Sequence, residues 1–98
     1  MAVNAVIAAV ERSGRDIPFA GYDAEATGYR ELAAGNRNLV ALSGQQAFVQ
    51  GKAAVDGLCQ AVLGNRLAQE IITPNLLVTA ENVEESFATQ YPGATAPF

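Results

Sequence analysis

Two stretches, Ile17-Pro18-Phe19-Ala20-Gly21-Tyr22-Asp23 and Leu39-Val40-Ala41-Leu42-Ser43-Gly44-Gln45, decide how this chain folds. Each is a short apolar run that stops at a polar residue, the signature of a buried strand rather than of a helix. Pro18 stands near the start of the first run, where one lost N–H matters least. Between them, Ala24 to Ala34 carries Ala26, Tyr29, Leu32 and Ala33 at helical spacing, and Gly35 supplies a stop. Strand, helix, strand in this order predicts two parallel neighbours joined by a crossover.

Upstream, Val3, Val6, Ile7 and Val10 mark one face of a first helix that ends at Gly14. The same stretch is apolar enough to imitate a secretory leader. It lacks a basic start, and Glu11-Arg12 stands where a small-residue cleavage site belongs, so it is read as a structural helix. Downstream, Gln46 to Leu63 predicts the longest helix, with Phe48, Gly51, Val55, Leu58, Cys59 and Val62 on one stripe and Gly64 as its stop. Lys52 and Asp56 are spaced to pair on its other side.

Glu70 to Thr73 and Leu76 to Thr79 read as two further short strands, split by Pro74-Asn75. Thr79 is the expected N-cap of a last helix through Glu81, Val83, Phe87 and Ala88. Residues 91–98, with two prolines and a glycine, read as an irregular tail. The pattern therefore predicts an α/β fold: a three-layer, doubly wound, mostly parallel sheet. With three or four short strands, such a sheet looks like a piece of a larger one, because parallel strands need both faces covered.

Composition narrows the function. Of 98 residues, half are hydrophobic and 16% charged, which argues against disorder. The net charge of −4, with no basic run, argues against nucleic acid, whose phosphates require clustered Lys and Arg. There is no histidine, which removes the commonest general base and metal ligand. Cys59 is the single cysteine, so neither an internal disulfide nor a cysteine zinc site is expected, and its place on the stripe predicts a buried, inert thiol. The serines at 13, 43 and 86 have no histidine to activate them. No phosphate-cradling glycine loop is present, and Glu84-Glu85 point apart on their helix. These readings lead to a binding domain rather than an enzyme, with no cofactor and no metal.

Ligands of open parallel sheets bind beyond the carboxyl ends of the strands. Asp23 and Gln45 stand there. A carboxylate accepts two hydrogen bonds side by side, which suits vicinal hydroxyls, and an amide both donates and accepts. The plainer roles are an N-cap for Asp23 and a solvated residue before a helix for Gln45. Tyr22 and Phe48 flank the two strand ends, with core packing as their default role.

Gly21-Tyr22-Asp23, the stretch from Leu39 through Gln45-Gln46 to Gly51-Lys52, and Ile72-Thr73-Pro74-Asn75-Leu76-Leu77-Val78-Thr79 carry a resemblance in this order. Together they resemble the periplasmic sugar-binding proteins of the ribose-binding type, which share their fold with the effector domains of lac-repressor-type regulators. The likeness runs from Met1 to about Val83. It implies two doubly wound lobes joined by crossing strands around a sugar, of which residues 1–98 look like the C-terminal segment. Residues 1–44 and 75–90 would then be second-lobe elements, 45–74 first-lobe elements and 91–98 a tail. Met1 resembles the Met after the family's Asn-Asp segment, which commonly supplies a ligand contact.

By the same resemblance, Asp23 is the acceptor of sugar hydroxyls and Gln45 the hinge glutamine that also touches the sugar. Leu42 to Gly44 would cross between lobes and Leu76 to Thr79 would cross back. Ala47 departs from the proline often found in the family. The resemblance implies binding of a monosaccharide or polyol for an ABC-type importer, a membrane permease as partner and a periplasmic location. The alternatives are the effector segment of a transcription regulator, or a segment that binds nothing alone. A flavodoxin-like enzyme or receiver domain lacks its phosphate loop or acidic cluster here. A segment without its second lobe is expected to bind monosaccharides weakly or undetectably, and to pair as a homodimer or by strand exchange through exposed apolar edges.

Overall fold

The computed structural model describes residues 2–98. Its elements are α1 (Ala2–Ser13), β1 (Phe19–Tyr22), α2 (Ala26–Ala33), β2 (Leu39–Gly44), α3 (Ala47–Val62), β3 (Leu76–Val78) and α4 (Val83–Gln90). Among the described residues this is a small mixed α/β fold of four helices and one three-stranded sheet in the order β1-β2-β3. The expected helix stops hold: Gly14, Gly35 and Gly64 take φ of 65°, 79° and 81° directly after their helices, a region costly for residues with a Cβ.

β1 and β2 are parallel, with Gly21 beside Leu42 and Tyr22 beside Ser43. The register shifts between Phe19, which pairs with Leu39, and Ala20, which pairs with Ala41. Val40 thus has no partner opposite it and is exposed, while Leu39 and Leu42, three apart, both reach the core. One unpaired residue resets the two-residue alternation of a strand.

Leu42 is 0% exposed and closes the core with Val3, Tyr29, Leu32, Val78, Val83 and Phe87. Two glycines make room for it. A Cβ on Gly21 would stand 2.7 Å from Leu42 Cδ2 and 2.6 Å from Val3 Cγ2, and one on Gly28 would stand 2.6 Å from Leu42 Cδ1. A Cβ at either glycine would force Leu42 or Val3 to shift, and α1 and α2 pack against the sheet at this point. Phe87 and Tyr91 pack on the Tyr29 ring edge-to-face, at centroid distances of 5.1 and 6.2 Å, and join α4 to the same core.

Four expectations need correction. First, β3 runs antiparallel to β2, with Val78 opposite Leu42 and Leu76 opposite Gly44, so the sheet is mixed. Second, residues 70–73 form no strand. Ile71 and Ile72 are exposed, and a strand needs a neighbour to take its hydrogen bonds. Third, α4 starts after Asn82 rather than Thr79; the Thr79 N–H instead donates to Asn82 Oδ1 at 2.8 Å. Fourth, Cys59 is exposed, because α3 has no buried residue at all.

The second helical layer is likewise not formed by these residues. Ala20, Tyr22 and Leu77, which point away from Leu42, are exposed. α3 and residues 63–75 extend away from the core. The chain spans 58 × 26 × 19 Å with a radius of gyration of 16.9 Å, against about 13 Å for a compact chain of this length. The expected Lys52–Asp56 pair is present at 2.7 Å on the exposed surface.

Leu42→Ala should lower unfolding free energy by about 2–5 kcal/mol in urea denaturation, because the two glycine slots cannot collapse to fill the space. Native protein should also titrate one thiol with a small disulfide reagent, at the rate reached after unfolding.

Candidate functional site

The parallel pairing of β1 and β2 brings their carboxyl ends to one level. Beyond the Tyr22–Ser43 pair, one chain continues as Asp23 and the other as Gly44-Gln45. Gln45 Nε2 donates to the Tyr22 hydroxyl at 2.9 Å, which ties the two strand ends together. Asp23 is the only non-glycine residue with positive φ (58°) among the described residues. Aspartate tolerates this conformation better than most residues. It lets the chain fold back at once, with the Glu25 N–H donating to the Asp23 carbonyl at 2.7 Å.

Asp23 is not the N-cap of α2. That position belongs to Glu25, whose side chain makes no cap bond. The Asp23 carboxylate is exposed at the strand end instead.

A buried polar chain underlies this corner. The Tyr29 hydroxyl donates to Gln90 Oε1 at 2.7 Å, Gln90 Nε2 donates to the Tyr91 hydroxyl at 3.3 Å, and that hydroxyl donates to the Ala24 carbonyl at 2.9 Å. The loop that carries Asp23 is thereby held by α2 and by the end of α4. Gly44 completes the brace, since a Cβ there would stand 2.6 Å from Gln90 Oε1. Burial pushes the Tyr29 hydroxyl up to about 12, with Tyr91 adding to the effect. Tyr91 is also raised, first by burial and then by the Glu25 and Asp23 carboxylates. Both groups therefore remain protonated donors at neutral pH.

A second set of bonds lashes the two connectors beyond the sheet. Gln46 Nε2 donates to the Pro74 carbonyl at 2.9 Å, and Asn75 Nδ2 donates to Ser43 Oγ at 3.4 Å. The chain that leaves β2 and the chain that enters β3 consequently run side by side.

Of the four residues singled out in the sequence, the fold bonds Tyr22 to Gln45, and Asp23 follows Tyr22 at the end of β1. Phe48 lies on the exposed stripe of α3. Gln90, Tyr91 and Asn75 escaped sequence reasoning, because nothing in a helix end, a tail or a Pro-Asn turn announces contacts more than 30 residues away. Chemically, the corner offers a carboxylate acceptor, an amide oxygen left open by the Nε2 bond, and a phenol proton. No group of three His, Cys, Asp or Glu residues gathers as a metal site among the described residues. A groove of about 420 Å³ between α3 and residues 71–73 is lined by Gln50, Ala53, Ala54, Ile71 and Thr73 and has no comparable set of polar groups.

Comparison with protein-family models and with curated proteins finds no match to this chain.

The Tyr29 environment sets a pH dependence. Its folded pKa lies above the ordinary value of 10, so the stability it carries is complete below pH 10 and is lost as pH rises toward 12. The loss should amount to about 2–3 kcal/mol over that window. In an absorbance titration at 295 nm, a phenolate step near pH 12 should coincide with loss of folded structure, and Tyr29→Phe should remove that step.

Proposed function

We propose that this chain is a carbohydrate-binding segment: the C-terminal part of a two-lobed, doubly wound periplasmic sugar-binding protein of the ribose-binding type. In that reading it contributes half of a site for a monosaccharide or polyol, and the intact protein delivers the sugar to the membrane permease of an importer. The observation that carries the reading is the Gln45–Tyr22 hydrogen bond, which joins the Asp23 and Gln45 segments at the carboxyl ends of two parallel strands.

Each group has a role in the proposal. Asp23 accepts two neighbouring hydroxyls through its two oxygens. Gln45, held by Tyr22, turns its amide oxygen to a third. The Tyr29–Gln90–Tyr91 chain keeps the Asp23 loop in place, so that little ordering remains to oppose binding.

The antiparallel pairing of β2 and β3 also supports it. One strand leaving a lobe and a second returning to it run in opposite directions, as these two do. The lashings Gln46–Pro74 and Asn75–Ser43 lie where such strands would emerge. The exposed sheet face of Ala20, Tyr22 and Leu77 is then the side that a further helical layer covers. Ligand contacts from both lobes would draw the lobes together by a hinge motion at these crossings.

Amide NMR spectra of the chain titrated with ribose, xylose, galactose and inositol test the proposal. The expected result is fast-exchange binding in the millimolar range, because one half-site supplies few of the contacts, with shifts centred on Tyr22, Asp23 and Gln45. Asp23→Ala should weaken it by roughly tenfold or more, the worth of a charged hydrogen bond. No localised shift with any of the four sugars overturns the half-site and leaves the chain a segment that binds nothing alone, and submicromolar affinity overturns the need for a second lobe.

A further inference from the structure

The Gln45–Tyr22 bond is one of two that are built alike. Tyr22 and Ser43 are partners across β1 and β2, and Gln45 and Asn75 each stand one residue beyond the final Gly44–Leu76 pair of β2 and β3. From there each amide reaches back to a hydroxyl. Gln45 Nε2 donates to the Tyr22 hydroxyl at 2.9 Å, and Asn75 Nδ2 donates to Ser43 Oγ at 3.4 Å.

An amide that donates through its nitrogen keeps its oxygen as an acceptor, and a hydroxyl that accepts keeps its proton to give. The rim of the sheet therefore carries the same acceptor-and-donor unit twice. Asn75 is exposed and Ser43 half-buried, so the second unit is open to a ligand. It is not needed as a tie. Gln46 Nε2 already binds the two connectors together through the Pro74 carbonyl, at the shorter distance of 2.9 Å.

Width and charge say what such a rim takes. Asp23 follows β1, Gln45 follows β2 and Asn75 precedes β3, so the three acceptors belong to three adjacent strands. Two strand spacings come to about 10 Å, wider than one sugar ring and suited to two linked rings. Residues 19–29, 39–51 and 67–80, which build this rim, contain no Lys or Arg. A sugar acid or sugar phosphate would meet the Asp23 carboxylate there with no cation to offset it, whereas neutral hydroxyls meet acceptors.

We propose that Asn75, positioned by Ser43 as Gln45 is by Tyr22, is a second hydroxyl-binding amide, and that the site takes a neutral disaccharide. One ring lies at Asp23 and Gln45 and the other at Asn75. The inference rests on the carbohydrate reading and narrows its ligand.

Amide NMR titrations of the chain with xylose and with xylobiose, side-chain NH2 signals included, test it. Xylose should shift Tyr22, Asp23 and Gln45. Xylobiose should shift the Asn75 side-chain amide and Ser43 as well, and bind roughly three- to tenfold more tightly, the worth of one added neutral hydrogen bond. Asn75→Ala should bring the two affinities together, and Ser43→Ala should narrow the gap between them while Ser43→Thr, which keeps the hydroxyl, preserves it. Because Asn75 is exposed, its variant should keep the amide dispersion of the parent. Equal affinities, with shifts confined to Tyr22, Asp23 and Gln45, overturn the inference and leave the carbohydrate reading standing. Equal weakening of both sugars in Asn75→Ala makes the Asn75–Ser43 bond a structural tie and overturns it too. No localised shift with either sugar overturns the half-site, and the second amide with it.

Discussion

Leu42 sits in a slot left by two glycines, Gly21 and Gly28. Its methyl groups press on the backbone at Gly21 and Gly28, and Val78 stands opposite it on the returning strand. This contact sets the register of β1 against β2, and with it the level at which Tyr22 meets Ser43. The site corner inherits that level. A shift of one residue would turn Tyr22 to the other face and break its bond to Gln45. The candidate chemistry is thus a consequence of packing two residues beneath it.

The core is small and polar where it meets the site. Tyr29 is buried for its ring, yet its hydroxyl begins the chain of bonds that ends on the Ala24 carbonyl. Such a network costs stability unless each member is satisfied, and no buried side-chain polar atom among the described residues lacks a partner. Its benefit is position: a loop with a strained aspartate is held from below by two helices. Far from this brace, α3 and residues 63–75 project with their apolar groups in solvent. The molecule is well packed on one side and unpartnered on the other, and an apolar surface of this size calls for a cover.

Much of the packed side is legible in the order of residues alone. The 3.6-residue spacing in α1 and α2 marks Val3, Val10, Tyr29 and Leu32, which are buried, and Ile7, which is half-buried, but also Val6, Ala26 and Ala33, which are exposed. Strand-end position marks Asp23 and Gln45, since a polar residue that ends an apolar run shows where a strand leaves the core. The departures share a cause. Ile71-Ile72 and the α3 stripe are apolar and periodic, and such patterns report which face prefers burial, not whether anything buries it. The exposure of Cys59 has the same origin.

By itself, the sequence determined the order of the helices and strands except for the strand it placed at residues 70–73, together with the glycine stops and the polar residues that end β1 and β2, because these depend on neighbours within one or two turns of chain. Only the tertiary structure decided the antiparallel direction of β3, the unpaired path of residues 70–73, the exposure of α3, and the bonds from Tyr29, Gln90 and Tyr91 that hold the Asp23 loop. Those depend on which distant segments meet. Strand direction and burial are properties of the partner surface, and no local run of residues encodes its partner.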